Sequence, residues 1–87
     1  MDIKELKVSK KTNPKSLASS ILYSLNDGYI VNVCSIGYCV IITVEALAII
    51  NSFEETENKY NFQPKYKQIR DSSNRIRTAM IWEISLK

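Results

Sequence analysis

The sequence predicts a single α+β domain spanning residues 1–87, with the element order strand, helix, strand, helix, strand, strand. Three observations predict this order. The apolar stretch of residues 28–53 breaks at Gly37, where an extended run gives way to a helix. An Asn13-Pro14 pair marks an earlier helix start. Near the C-terminus, two segments bracket a cluster of turn-forming residues, as in a hairpin.

The first half of the chain is predicted to form strand, helix and strand. Apolar and polar residues alternate sufficiently over residues 3–8 to predict a first strand. Helix one begins at Asn13, a preferred N-cap, followed by Pro14 at the first helical position, and it ends at Gly28. Residues 30–36 are β-branched and mostly apolar, which predicts strand two. The apolar face of helix one comprises Leu17, Ala18, Ile21, Leu22, Ser24 and Leu25.

Helix two, at about residues 38–52, is apolar on nearly all sides, so it must be buried on more than one side. The stripe predicted to cover the sheet consists of Val40, Ile41, Val44, Leu47 and Ala48. The other apolar side chains lack a predicted partner within so short a chain. We therefore expect a second chain to cover them across a two-fold axis. The predicted dimer interface is Ile42, Ala46, Ile49 and Ile50.

The C-terminal third is predicted to be a long β-hairpin. Residues 54–62 are polar and acidic and are expected to form a loop. Strands over residues 65–70 and 76–86 follow, with a turn at residues 71–74. Arg70, Arg75 and Arg77 fall at the tip of this hairpin, where we expect their charges to have no structural use.

Basic residues are concentrated at the two ends of the chain. Residues 1–16 contain five lysines and two acids, and residues 63–87 contain six basic residues and two acids. Lys and Arg are absent from residues 17–53. Basic residues that are concentrated in separate segments are typical of a phosphate-binding surface. Lysines and arginines at ordinary solvent-exposed positions of strands and loops would account for the same pattern.

Several classes of site are disfavoured by composition. The chain has no histidine, which excludes Ser-His and Cys-His nucleophile pairs and His-ligated metals. Cys34 and Cys39 do not have zinc-site spacing and are expected to be buried in a reducing compartment. We expect no enzyme activity, no metal, no cofactor and no small-molecule substrate. Glu45 interrupts the apolar stretch, and no signal peptide is recognisable, so we expect an intracellular protein of the cytoplasm, or also the nucleus, without a membrane segment.

Three segments carry a family resemblance. VSKKTNP leads into a helix, SIGYCVIITVEALAII crosses from strand to helix, and IRTAMIWEISL ends a hairpin. Together they resemble the Alba superfamily of small dimeric nucleic-acid-binding proteins over nearly the whole chain. GYCVIITVEALAII is similar to eukaryotic Alba-like domains, and KTNPKSLASSI is similar to bacterial stage V sporulation protein S, which shares the fold. The resemblance implies an Alba-like fold in two layers, of order β-α-β-α-β-β, with a projecting hairpin.

The resemblance transfers only partly to the binding residues. Archaeal members have a lysine pair directly before the proline that opens helix one. Here Thr12 and Asn13 hold those places, and Lys10 and Lys11 lie upstream. Ile36 and Tyr38 replace basic residues that flank the family's central glycine, and Ile42 replaces a lysine early in helix two. The central phosphate contacts of the archaeal type are therefore weakened or absent.

Two functions remain open from the sequence. The first is binding of DNA or RNA with little sequence preference, as a homodimer or as a heterodimer with another Alba-like chain. Tyr38 is the candidate for base stacking or, alternatively, for packing at the dimer interface. The second is an interaction subunit of a ribonucleoprotein or regulatory complex, with weak binding of its own. The candidate phosphate contacts are Lys10, Lys11, Lys15, Lys65, Lys67, Arg70, Arg75 and Arg77.

Overall fold

The computed structural model describes residues 2–53 and 59–87, and it confirms the predicted α+β class and element order. Strand β1 (Ile3–Lys7), helix α1 (Pro14–Asn26), strand β2 (Ile30–Ile36) and helix α2 (Cys39–Asn51) precede strands β3 (Tyr60–Arg70) and β4 (Ile76–Leu86). The four strands form a sheet in the order β1-β2-β4-β3. β1 and β2 are parallel, whereas β4 is antiparallel to both of its neighbours.

β3 is longer than the sequence predicts. It begins at Tyr60, so the predicted loop over residues 54–62 is wrong at residues 60–62, and residues 54–58 lie outside the described part of the chain. Pro64 lies inside the strand, opposite Trp82. β3 is an edge strand, and an edge strand tolerates proline because alternate N–H groups face away from its partner. Proline therefore did not mark the start of this strand.

Both helices pack against one face of the sheet, and the core lies between them and the strands. Alternate residues of β2, Val31 and Val33, are fully buried there, together with Ile84 of β4. We call the opposite side the open face, because none of the described helices or strands covers it. By strand register it comprises Ile3, Glu5, Lys7, Ile30, Asn32, Cys34, Ile36, Asn61, Gln63, Lys65, Lys67, Ile69, Arg77, Ala79, Ile81, Glu83 and Ser85.

Helix α1 begins where the Asn13-Pro14 pair predicts. The side-chain oxygen of Asn13 accepts hydrogen bonds from the backbone N–H groups of Lys15 (2.8 Å) and Ser16 (3.3 Å). These bonds satisfy two N–H groups that the helix leaves unpaired at its start. The helix buries its predicted apolar face, with Ile21 and Leu25 almost wholly buried.

Helix α2 buries a different face from the predicted one. Ala46 and Ile50 are fully buried within the chain, and Ile42 and Ile49 pack against the same core. Ile41 and Val44, predicted to cover the sheet, are 57% and 50% exposed. A helix that is apolar all round has several stripes of suitable spacing, so hydrophobicity could not identify the inward one.

The inward stripe of α2 is selected by residue size. Ala46 and Thr43, both fully buried, allow the helix backbone to approach the sheet and α1 closely. The Thr43 hydroxyl donates to the carbonyl of Cys39 (3.4 Å), which satisfies a polar group that burial removes from water. Of the predicted interface of Ile42, Ala46, Ile49 and Ile50, the fully buried Ala46 and Ile50 cannot contact a second chain. Ile42 and Ile49 are only partly buried, so their place at an interface stays a prediction.

Neither of the two helices in the described ranges has both the length and the hydrophobicity that crossing a membrane requires.

Candidate nucleic-acid interface

Three segments that are separated in sequence meet at one end of the sheet. β1 and β2 are parallel, so the loop of residues 8–13 and the Gly37-Tyr38 turn both follow strands that stop at the same end of the sheet. The turn of the β3-β4 hairpin, residues 71–75, lies at this end too, because β4 starts there and runs antiparallel to β2. The pairing of Ile36 with Ala79 leaves Ile76 to Thr78 projecting beyond β2. We call these three segments together the tip end.

The loop after β1 is held in a defined turn that exposes its two lysines. The backbone N–H of Ser9 donates to the Thr12 hydroxyl (2.9 Å), and the N–H of Thr12 donates to the Ser9 carbonyl (3.1 Å). The N–H of Lys11 donates to the Ser9 hydroxyl (3.3 Å). Lys10 and Lys11 are exposed, and neither forms an ion pair within residues 2–53 and 59–87. Their ammonium groups are thus available to an anion.

The hairpin turn is organised by Asp71. Its backbone carbonyl accepts from the N–H of Asn74 (3.0 Å), and its carboxylate Oδ1 accepts from the N–H groups of Ser73 (2.9 Å) and Arg75 (3.0 Å). Asn74 has a φ of 63°, the left-handed conformation that asparagine tolerates better than most residues. Tight hairpin turns are favoured when their backbone twist matches the right-handed twist of the two strands that they connect. The turn is recognisable from its cluster of turn-forming residues, whereas the structural role of Asp71 is visible only in the structure.

Two of the three tip arginines have structural contacts, contrary to expectation. Arg70 Nη1 donates to the backbone carbonyl and to the side-chain oxygen of Asn74, each at 3.3 Å. Arg77 Nη1 lies 3.7 Å from Asp71 Oδ2, an ion pair. The side chain of Arg75 is exposed and makes no hydrogen bond or ion pair with any described residue. Among the three arginines of the hairpin tip, Arg75 therefore has the fewest side-chain contacts with the described part of its own chain.

Tyr38 lies between the lysine loop and the hairpin. It follows Gly37, whose φ of 59° is the left-handed conformation, and it is 84% exposed. Because its ring is almost entirely accessible, Tyr38 has the exposure needed to stack on a base.

The other predicted contact residues are spread around the tip end. Lys15 is exposed in the first turn of α1, directly after the lysine loop. Lys67 is level with the end of β2, since it pairs with Ala79 as Ile36 does. Lys65 is farther from the tip and forms an ion pair with Glu83. Lys65 is therefore the least available of the predicted phosphate contacts.

An apolar groove runs between α2 and the base of the hairpin. We call it the α2 groove; its volume is about 350 Å³, and it is lined by Val44, Leu47, Ala48, Asn51, Phe62 and Trp82. The Nε1 of Trp82 is buried without a hydrogen-bond partner among the described residues. Neither Phe62 nor Trp82 is among the interface residues predicted from the sequence. The available signal was that Trp82 shares a strand face with Ile84, which is buried in the core.

The two cysteines are free thiols and half-buried, whereas full burial was expected. Both line a cavity of about 220 Å³ at the carboxyl ends of β1 and β2. Within the described residues, no group of three or more Cys, His, Asp or Glu side chains is arranged to hold a metal ion.

Comparisons with known proteins agree with this architecture. The structure is similar to that of Alba from Thermoplasma volcanium, with a TM-score of 0.69 over 94% of this chain and 99% of that chain. The two sequences are 9% identical, so this likeness concerns the fold alone. None of the curated proteins compared with this sequence matches it. The family model of stage V sporulation protein S (SpoVS) matches residues 4–87, nearly the whole chain. The chain has the Alba fold and belongs to the SpoVS family.

Proposed function

We propose that this protein binds DNA or RNA with little sequence preference, as a dimer, through the tip end of each chain. One observation carries the proposal: basic side chains from two segments that are far apart in the sequence lie together there. Lys10 and Lys11 come from the first loop and Arg70, Arg75 and Arg77 from the hairpin, with Asp71 as the carboxylate among them. The superfamily resemblance supports nucleic acid as the anion.

The chemistry of these side chains favours phosphate over base recognition. Ammonium and guanidinium groups on long side chains neutralise phosphates and release counterions, which adds affinity for any sequence. A two-stranded ribbon is narrow enough to enter a nucleic-acid groove, which would place Arg75 near the backbone on either side. Tyr38, exposed between the two basic segments, would add stacking worth about 1 to 3 kcal/mol per base on a single strand.

Dimerisation is proposed through the α2 groove. Val44, Phe62 and Trp82 line an apolar groove that none of the described helices and strands fills. A second copy related by a two-fold axis would bury the same surface twice. It would also bring two tip ends into one particle, which increases the number of phosphates contacted. The partner in this proposal is an identical chain, with a related Alba-like chain as the heterodimeric alternative.

A second function is supported by the residues around Gly37. Ile36 and Tyr38 stand where archaeal relatives are basic, and Ile42 packs against the core. A subunit that lacks these central charges would contribute dimerisation to a ribonucleoprotein or regulatory complex and bind nucleic acid weakly by itself.

Fluorescence anisotropy with labelled duplex and single-stranded oligonucleotides, measured across a salt series, tests the first function. Six to ten phosphate contacts per dimer imply an affinity loss of about 10³ to 10⁵ between 50 and 200 mM salt. Light scattering on the same samples gives the mass of the particle. A dimer that shows no binding at low salt would support the interaction subunit instead.

A further inference from the structure

The half of the open face next to the tip end combines an apolar centre with basic sides. Strand register aligns Lys7, Cys34, Ile81 and Lys65 in one row across all four strands. The next row places Ile36 beside Ala79 and Lys67. In both rows the apolar side chains belong to the central strands, β2 and β4, and the lysines belong to the edge strands. Over these two rows the open face is therefore a strip of aliphatic side chains flanked by lysines, in which the fully buried Ala79 offers no accessible surface. The row on the other side of Lys7 is polar and consists of Glu5, Asn32, Glu83 and Gln63.

A cavity of about 220 Å³ lies at the carboxyl ends of β1 and β2, where the open face meets the helix side of the sheet. Its walls include Lys7, Cys34, Ile36 and Ile69 together with the buried Val8 and Ser35. Ile69 belongs to β3, which β4 separates from β2, so the hairpin must curve toward these strand ends to line the cavity. The cavity is large enough for one aliphatic side chain of a partner, and removing that side chain from water would contribute to binding.

The residue types on the open face fit one kind of anionic partner, an acidic peptide, better than another, a single strand of nucleic acid. The aromatic residues of the described strands, Tyr60, Phe62, Tyr66 and Trp82, all lie on the helix side of the sheet. A single strand of nucleic acid recognised through its bases needs aromatic or arginine planes to stack on. Leucine or isoleucine side chains need an aliphatic surface, which Ile36, Ile81 and Ile69 provide.

The charges on the open face favour an acidic partner. Lys65 is already paired with Glu83, whereas Lys7 and Lys67 make no ion pair with any described residue. These two lysines lie on opposite edges of the aliphatic strip. A segment bound along the strip would therefore meet a cation on each side, and its carboxylates would be attracted from both.

We propose that the open face is a docking site for an acidic peptide segment of another protein, which inserts one aliphatic side chain into the cavity beside Cys34. Carboxylates that flank this anchor would pair with Lys7 and Lys67. The site lies on the side of the sheet opposite the α2 groove. Its cavity adjoins the tip end, and Lys67 is also a predicted phosphate contact, so an acidic peptide and a nucleic acid would compete for this lysine.

Two synthetic peptides test the site by NMR titration of the ¹⁵N-labelled protein. The probe alternates leucine with glutamate, and its control alternates serine with glutamate at equal length and charge. We expect the probe to shift the amide signals of Lys7, Cys34, Ile36 and Ile69 and to bind at least about fivefold more tightly than the control, a difference of about 1 kcal/mol. Equal binding of both peptides, or shifts confined to the tip end or the α2 groove, would overturn the proposal.

A titration with a single-stranded oligonucleotide separates this site from the proposed function. We expect its shifts at the tip end, and shifts on the open face as large as those caused by the peptide would assign that face to nucleic acid instead. Ile69→Ser should lower peptide affinity at least about fivefold and change oligonucleotide affinity by less than about twofold. Gln68→Ser, an exposed neighbour on the other side of the strand, is the matched control and should change neither. Unchanged peptide affinity in Ile69→Ser would also overturn the proposal.

Discussion

The guanidinium group of Arg77 lies against Gly37: its Nη2 is 3.4 Å from the position that a Cβ on this glycine would occupy. Arg77 is one of the projecting residues of the hairpin, and Gly37 is in the turn that leads into α2. Since Arg77 also pairs with Asp71, it links the hairpin turn to the β2-α2 turn. The orientation of the hairpin relative to Tyr38 therefore depends on this arginine.

Replacing Gly37 with alanine is expected to reduce both stability and binding. Its φ of 59° is left-handed, which costs a residue with a Cβ about 1 to 2 kcal/mol. The added methyl would also contact Arg77 and change its position. Urea denaturation measures the stability, and fluorescence anisotropy measures the oligonucleotide affinity.

Gly28→Ala is the matched control for this variant. Gly28 has a φ of 91°, and no atom lies within 4 Å of its added Cβ. We expect a comparable loss of stability with unchanged affinity for oligonucleotides. Equal affinity in the two variants would show that the contact between Gly37 and Arg77 does not affect binding.

Asp71→Asn is expected to strengthen nucleic-acid binding. The amide oxygen can still accept from the N–H groups of Ser73 and Arg75, so the turn is preserved. The negative charge that pairs with Arg77 is removed, which frees this arginine for phosphate. A surface ion pair is worth up to about 1 kcal/mol, so affinity should rise about two- to fivefold.

The control for Asp71→Asn is Asp27→Asn at the C-cap of α1, which makes the same change in net charge away from the hairpin. We expect the salt dependence of binding to become steeper only in the Asp71 variant, since an additional cation contacts phosphate. Weaker binding in Asp71→Asn, with an intact fold by circular dichroism, would contradict this role of Asp71.

Arg75→Ala is expected to weaken binding with little effect on stability. Its exposed side chain has no partner among the described residues, and surface substitutions usually change stability by under about 0.5 kcal/mol. The loss of one phosphate contact should reduce affinity about three- to tenfold and make the salt dependence shallower. Lys87→Ala, at the opposite end of the sheet, removes equal charge as a control. Similar affinities for the two variants would rule out a specific role for the hairpin tip.

The triple replacement of Arg70, Arg75 and Arg77 by alanine should weaken binding at least about tenfold. Unlike Arg75→Ala, it is expected to lower the melting temperature, because Arg70 contacts Asn74 and Arg77 contacts Asp71. Lys10→Ala with Lys11→Ala should weaken binding to a smaller extent and leave the melting temperature unchanged. Parent-like binding in the triple variant would mean that the basic residues serve solubility or an acidic protein partner.

Val44→Asp is expected to convert a dimer to a monomer while the fold is retained. The half-exposed Val44 lines the α2 groove, and a carboxylate there would be desolvated by a second chain without compensation. Light scattering measures the mass, and circular dichroism checks the fold. Ser20→Asp adds the same charge to the exposed surface of α1 and should leave the mass unchanged. An unchanged mass in Val44→Asp would exclude the α2 groove as the dimer interface.

The sequence by itself determined the element order and most element boundaries of this protein. These features depend on interactions between residues that are close in the chain. The Asn13 cap, the left-handed glycines and the Asp71 turn act within a few residues, and alternating and helical periods are read over a single element. Such local signals need no knowledge of what each element packs against.

The tertiary structure alone decided which side of α2 faces inward and where the basic residues meet. α2 is apolar on every side, and only the space available between α1 and the sheet selects the side with Ala46. The start of β3 at Tyr60 likewise depends on its pairing with β4, which extends past Pro64. Lys10 and Arg75 lie at the same end of the sheet because β1 and β2 are parallel and β4 is antiparallel to β2, a relationship between distant strands. Packing and strand pairing are long-range interactions, and a one-dimensional pattern of hydrophobicity does not specify which of several equivalent partners an element will have.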